Sequence, residues 1–398
     1  MAVVVAIVAG IGFVVTALRL VPWEPVPGGM PAAVPASSAF SAQEIARGEH
    51  YALWSRIWSW SSLAVQLVAV CALGLTRLRG RLVARLRGPW WVQVVVAVVV
   101  VTLALRVLAL PFGIALQQHR LVHGLSTQSW WGWVRDVVIG DLVSIAVTGL
   151  GLVVLIGLTR RWARAWVAIA AAGAGALVVL GSLAYPVVVE PLYNSFTPLP
   201  DGPLQASIRD AAEREGVPVG DVLVADASRR TTTLNAYVSG FSGTRRVVLY
   251  DTLVESLPED QALSVVAHEI GHARHDDVLA GTLLGALGSA FAIGLLGLLG
   301  RGRLRGAAAV PLVMALLALG TQVASPVQNG ISRRVEARAD VDALAATRDP
   351  EAFAAMQVAL ARRSLADPTP PALSQWWWGT HPTVLQRLAI ARTEPGRP

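Results

Sequence analysis

The sequence predicts a mainly α-helical protein that crosses a membrane about seven times and carries a polar α+β domain with a small antiparallel sheet. Three observations lead there. Hydrophobic residues make up 54% of the 398 residues and charged residues only 15%, far from the balance of a soluble domain. Seven apolar stretches, roughly 2–18, 58–76, 90–114, 137–158, 165–189, 278–299 and 307–325, are long enough, or nearly so, to cross about 30 Å of hydrocarbon as helices. The polar remainder falls in two pieces, 190–277 and 326–398, which together suffice for one domain core.

This pattern divides the chain into an N-terminal membrane domain over 1–189 with about five spans, a discontinuous polar domain over 190–277 and 326–398, and two inserted spans over 278–325. The first stretch has no basic region before it and no small-residue cleavage site after it, so it reads as a retained span rather than a signal peptide. Pro22, Pro25, Pro27, Pro31 and Pro35 make residues 20–57 an irregular loop followed by a short helix. All 33 basic residues are Arg, and the formal charge is +7. Arg77 to Arg87 follow the second span, Arg160 to Arg164 the fourth, and Arg301 to Arg305 the sixth. Such clusters mark the cytoplasmic side and anionic lipid, so the basic excess calls for no nucleic-acid partner. Most of the 14 Trp sit near span ends, where indole suits the headgroup region. Cys71, the single cysteine, can form no intramolecular disulfide.

In the first polar piece, Leu204 to Glu215 has helical spacing ended by Gly216 and Pro218, and Val222 to Ala225 is a short apolar strand. Thr231 to Val238 and Arg245 to Tyr250 flank Ser239-Gly-Phe-Ser-Gly243, which predicts a hairpin. Pro258-Glu259-Asp260 then opens a helix with acidic residues in its first turn, as the helix dipole prefers.

That helix carries His268-Glu269-Ile-Gly-His272, an H-E-x-x-H motif. Residues four apart lie about 40° apart around a helix, so the two imidazoles share a face and can grip one metal ion. Glu269 falls beside them, within reach of a metal-activated water as general base. A random chain of this composition would contain the motif on the order of 0.004 times, which disposes of chance. Catalytic zinc needs a third protein ligand, and Glu336 is the leading candidate, on a probable helix directly after the last span. Asp340, one turn on, is placed to hydrogen-bond a ligand imidazole and fix its tautomer. Surface pairing of Glu336 and Asp340 with Arg333, Arg334 or Arg338 is the bland alternative.

With these pieces in order, the chain resembles the type 1 CaaX prenyl protease family of integral-membrane zinc metalloendopeptidases, with the heat-shock protease HtpX as a more distant relative. The resemblance covers roughly residues 190–395 and rests on Tyr193-Asn-Ser-Phe-Thr-Pro-Leu199, Asn235-Ala236-Tyr237, Val247 to Leu253, His268 to His272, Asn329 to Asp340 and Thr380-His381-Pro382. It implies a gluzincin-like fold with one Zn2+ per chain held by His268, His272 and Glu336, and Glu269 as general base. It further implies an edge strand at Asn235, Ala236 and Tyr237 that binds an extended peptide by strand addition. His381 falls where the family has a histidine near the substrate carbonyl. Asn329 and Arg333 match motif positions that shape or support the site, and Asp277 stands where the heat-shock relatives have Asp. The implied partners are the lipid bilayer and a peptide or membrane-protein substrate: prenylated C-termini in some hosts, damaged membrane proteins in others.

Two rival readings keep the motif but not the enzyme. A seven-span transporter with a structural zinc would need a fourth protein ligand, and no Cys is at hand for it. A catalytically inactive peptide-binding sensor or scaffold would not need Glu269. His119 and His123 are also four apart but lack an intervening Glu, and they read as an interfacial pair; His275 reads as solvent-facing. Arg106 and Asp141 fall inside spans, where they either pair, face water, or snorkel. Orientation divides the evidence of the sequence: loop arginines place 190–277 outside the cytoplasm, whereas the family resemblance implies the cytoplasmic side.

Overall fold

The computed structural model describes residues 1–239, 245–300 and 302–393. The expected hairpin turn at Gly240–Gly243 and the cluster residue Arg301 lie outside the described residues. The spans are α1 (Ala2–Leu20), α2 (Ala42–Leu75), α4 (Trp90–Val122), α5 (Trp130–Arg161), α6 (Trp166–Ala184), α10 (Asp277–Gly300) and α11 (Ala309–Thr347), with a short α3 (Leu78–Val83) after α2. All seven are long and apolar enough to cross a bilayer. Side chains such as Val68 and Val323, 71% and 77% exposed, face outward from the bundle, as lipid requires.

Several helices outrun the apolar windows. α2 begins at Ala42, fusing the expected short helix with its span, because Ser41 and Glu44 form a capping box: Glu44 N–H donates to Ser41 Oγ at 3.2 Å and Ser41 N–H to Glu44 Oε2 at 2.8 Å. The Pro-rich loop before it is anchored, with Val34 and Phe40 packed on Leu385 and Leu388 of the polar domain. Spans pack in the order α10, α6, α5, α4, α2, α11, a ring that closes between α11 and α10, with α1 against α10. Small residues set the approach distances. Gly285 meets Val178 and Gly288 meets Phe13, but the tightest α1–α10 contact is at Gly294, where a Cβ would lie 2.7 Å from the Ala6 backbone nitrogen. Arg106 and Asp141 form a bidentate pair inside the bundle, at 2.8 and 2.6 Å, which resolves their alternatives in favour of pairing.

The polar domain adds β1 (Phe196–Pro198), α7 (Pro203–Arg214), β2 (Asp221–Ala225), β3 (Ala236–Ser239), β4 (Arg246–Tyr250), α8 (Asp251–Ser256), α9 (Glu259–Arg274), α12 (Pro350–Ser364), α13 (Ala372–Trp378) and α14 (Val384–Thr393). α7 ends where Gly216 takes φ +66°, a conformation that favours glycine. The four-stranded sheet has the order β1-β2-β4-β3. It is mixed rather than wholly antiparallel as the sequence suggested. β3 and β4 pair antiparallel, but the chain after β2 crosses to the far side of β4 before returning, so β2 and β4 run parallel. Only Ala236–Val238 of the expected Thr231–Val238 strand is ladder, which runs on to Ser239; Thr231 makes a single bridge to Ser126.

One core of fully buried side chains joins the sheet to the helices, with Ile208, Leu249, Val266, Ile270, Phe353 and Ile390 each 0% exposed. α9 and α12 therefore rest on the same apolar cluster. Replacing Phe353 with Ala should destabilise this domain by about 3–5 kcal/mol through lost burial and the cavity left behind. Thermal melts of the detergent-solubilised variant check it; an unchanged Tm contradicts this core assignment.

Candidate active site

α9 presents His268 and His272 on one face, and α11 brings Glu336 to them from the end of the last span. His268 Nε2 lies 3.2 Å from Glu336 Oε2 and 3.2 Å from His272 Nε2, and His272 Nε2 lies 3.7 Å from Glu336 Oε1. Tetrahedral zinc with bonds of about 2.0–2.2 Å holds its ligand atoms about 3.3–3.5 Å apart, so the donor triangle has the dimensions of such a site. The approach depends on Gly271. A Cβ there would sit 3.1 Å from Asp342 Cβ and 3.5 Å from Ala339 Cα, so a glycine lets α9 meet α11 closely between the two histidines.

The far nitrogens of both imidazoles are engaged. His268 Nδ1 is 3.0 Å from Asp340 Oδ1, and His272 Nδ1 is 3.0 Å from Asp277 Oδ2. With Nδ1–H donating to a carboxylate, each Nε2 lone pair is left facing the triangle, the tautomer a metal ligand needs. Asp340 is 0% exposed and is bound by Arg387 on α14, whose Nε donates at 2.8 Å and whose Nη2 also donates. Arg338 likewise donates to Asp277.

Glu269 lies beside the triangle and accepts a hydrogen bond from the backbone N–H of Val238 on β3; burial pushes its carboxyl upward against the pull of the two imidazoles. The contact shows that the free edge of β3 faces the site. Tyr250 N–H donates to Asn235 O at 3.0 Å, and ladder alternation then turns the backbone groups of Ala236 and Val238 outward while those of Asn235 and Tyr237 face β4. Tyr237 uses its side chain instead, its hydroxyl donating to Glu190 at 3.3 Å, where Arg246 also donates at 3.0 Å.

His381 Nε2 is 3.2 Å from Glu336 Oε2, while its Nδ1 lies 2.8 Å from Thr380 Oγ1. The loop presenting it is braced from α11. Asn329 donates to Trp377 O, and Arg333 donates to Gln375 O at 3.0 Å and Gly379 O at 2.5 Å. Neither Asn329 nor Arg333 is among the donor atoms of the triangle; both hold the loop that carries His381 in place. His119 and His123 lie elsewhere, His119 stacked on Tyr51 and His123 edge-on to both rings, and His275 pairs with Asp342 at 3.0 Å. Sequence reasoning missed Arg387 and Val238, and weighed Arg338 only as a surface partner of Glu336 or Asp340 rather than of Asp277. A buried carboxylate needs a cationic partner, and that requirement alone could have prompted a search for one.

Fold and donor cluster together define an integral-membrane metalloprotease. Comparison with known proteins makes the class particular. The family model for peptidase family M48 matches residues 198–394, and that for CAAX prenyl protease N-terminal, five membrane helices, matches residues 37–195. The uncharacterized metalloprotease YhfN of Bacillus subtilis (strain 168) is 30% identical over 332 residues, which cover 77% of this chain and 75% of that protein. A CAAX prenyl protease 1 homolog of Oryza sativa subsp. japonica is 39% identical over 152 residues, 38% of this chain and 36% of the relative. The crystal structure of S. mikatae Ste24p superposes with a TM-score of 0.81 at 19% identity over 98% of both chains, a likeness of fold. The chain belongs to peptidase family M48.

Proposed function

We propose that this protein is a zinc endopeptidase of gluzincin type that cleaves an extended polypeptide at the membrane, with a discontinuous peptidase domain formed by 190–277 and 326–398. The observation that supports it best is the triangle of His268, His272 and Glu336 with Glu269 alongside. When bound, zinc supplies Lewis acidity, which polarises a scissile carbonyl and lowers the pKa of water towards about 7. The other steps belong to the chain. The outward backbone groups of Ala236 and Val238 pair with the substrate main chain, extending the sheet by one strand. That register lays the substrate beside Glu269, which takes a proton from the attacking water and delivers it to the leaving amine. His381 stands on the other side of Glu336 and donates to the developing oxyanion, a kind of contact worth roughly 3 kcal/mol of barrier. Asp340 and Asp277 hold the imidazoles in their ligating tautomer, and Asn329 and Arg333 hold the loop of His381.

Metal analysis of the purified protein should find one zinc per chain. A chelator should abolish cleavage of a peptide substrate, and added zinc should restore it. Metal-free protein that still cleaves would sink the proposal, while a zinc-loaded protein that binds peptides without turnover would favour a sensor or scaffold.

A further inference from the structure

β3 is a four-residue strand with one ladder partner, β4, and its other edge is the one free to take a peptide. So short a strand, bonded on a single side, frays easily unless something else orders it. Its side chains supply that order. Alternation puts Tyr237 and Ser239 on one face of the sheet, and Arg246 of β4 stands opposite Ser239 on the same face. Arg246 Nε donates to Ser239 Oγ at 3.0 Å, and its Nη2 donates to Glu190 Oε2 at 3.0 Å. Tyr237 donates to that same carboxylate oxygen at 3.3 Å, and the Arg246 guanidinium lies 5.4 Å over the ring of Phe196 on β1. Burial beside Glu190 pushes the Tyr237 hydroxyl up, so it stays a donor across the physiological pH range. Tyr237 and Ser239 are thus tied, directly and through Arg246, to a carboxylate that is 9% exposed.

Glu190 belongs to the end of the last N-terminal span. α6 gives way at Tyr185–Val189 to a π-helical turn in which Glu190 N–H bonds Tyr185 O. That turn strands the carbonyl of Pro186: Glu190 N–H is already engaged, and Pro191, next in the π register, has no N–H to give. Arg246 Nη2 donates to Pro186 O at 2.6 Å and satisfies it. The membrane domain holds the chain upstream of β3 as well. In the loop between α4 and α5, Thr127 N–H donates to Arg230 O at 3.3 Å. The hydroxyls of Thr231 and Thr232 donate back to Leu125 O and Gly124 O at 3.2 and 2.8 Å. Span ends therefore bracket the strand that faces Glu269.

We propose that Glu190, Arg246 and Tyr237 are positioning residues for peptide binding, mooring β3 to the end of α6 so that its free edge is ordered before the polypeptide arrives. The inference rests on the proposed function only for strand addition on β3. A strand already in place lets the complex form without the entropic cost of fixing it, so the mooring acts on affinity rather than on the chemical step. None of the three residues belongs to the donor triangle.

The test uses the full chain, zinc-loaded, with Glu269→Gln as parent so that peptide is held without being cut. The probe is a fluorescein-labelled fragment of β-casein, an unfolded polypeptide of no special sequence, and fluorescence anisotropy reads its Kd. Tyr237→Phe should raise that Kd about 10-fold, the weight of one hydrogen bond to a charged group, with zinc content unchanged. Glu190→Ala should raise it at least as much, and adding Tyr237→Phe to Glu190→Ala should change little more, because the hydroxyl acts through that carboxylate. With Glu269 restored, Tyr237→Phe should raise KM by the same factor and leave kcat within about twofold. An unchanged Kd in Tyr237→Phe, full additivity in the double variant, or a weaker Kd that comes with lost zinc overturns the mooring. Tyr237→Phe removes one oxygen, so it decides the matter even where Glu190→Ala fails to fold. A parent that binds no peptide overturns the mooring together with strand addition. Binding by the parent, weakened as expected in the variants, upholds the mooring even if the Glu269 protein shows no turnover, an outcome that would sink the peptidase reading alone.

Discussion

Glu269→Gln is expected to keep its zinc and lose roughly 10²–10⁴-fold in kcat, the contribution of a well-placed general base. The substitution is nearly isosteric, retains an acceptor oxygen for the Val238 N–H, and leaves His268, His272 and Glu336 untouched. Metal content and peptide-cleavage rate measured on one preparation separate the outcomes. Full metal with lost turnover supports proton transfer by Glu269. Retained turnover removes it as base, and lost metal reassigns it to holding the site together.

The second large effect is expected at Arg387, far from Glu269 in sequence and one contact behind the donor triangle. Asp340 is 0% exposed, and the Arg387 guanidinium neutralises it from both oxygens. Arg387→Met should leave that carboxylate buried without its cationic partner, held by His268 alone, a loss of about 3–5 kcal/mol. Asp340 in turn orients His268, so metal affinity should fall by about 10–100-fold as well. Arg387→Lys keeps the charge but loses the two-pronged grip, and should recover part of the stability. Thermal melts and zinc competition against a chromophoric chelator report the two effects; an Arg387→Met protein with unchanged Tm and zinc affinity contradicts the linkage.

These two residues illustrate what could be read in advance. Glu269 announces itself because the chemistry packs three functional groups into five consecutive residues on one turn of helix. Arg387 has no local signature: it is one arginine among 33, and its role arises only when α14 folds back against α11. The spans were legible because lipid demands some 20 apolar residues in a row. Their ends were not, since hydropathy says nothing about where hydrogen bonding stops. α2 starts at a capping box written as Ser41 and Glu44, and α11 continues past Pro326 because packing on α9 and α13 sustains it. The parallel β2–β4 pair was likewise hidden, because strand order depends on a crossing that no alternation pattern encodes. β1, three residues including Pro198, is too short to show any period.

α11 has a mechanical consequence. It is one helix of 39 residues, about 58 Å at 1.5 Å per residue, that runs on through Pro326, rooted among lipid-facing helices and ending beyond Glu336. Rotation and height are thus geared together along its length. Inserting one alanine after Gly320 would turn everything downstream by about 100° and advance it 1.5 Å, swinging Glu336 off its target while its chemistry stays intact. No loop separates the membrane-embedded part of this helix from Glu336; the interior proline Pro326, which donates no backbone hydrogen bond, is the one irregularity of sequence on that path.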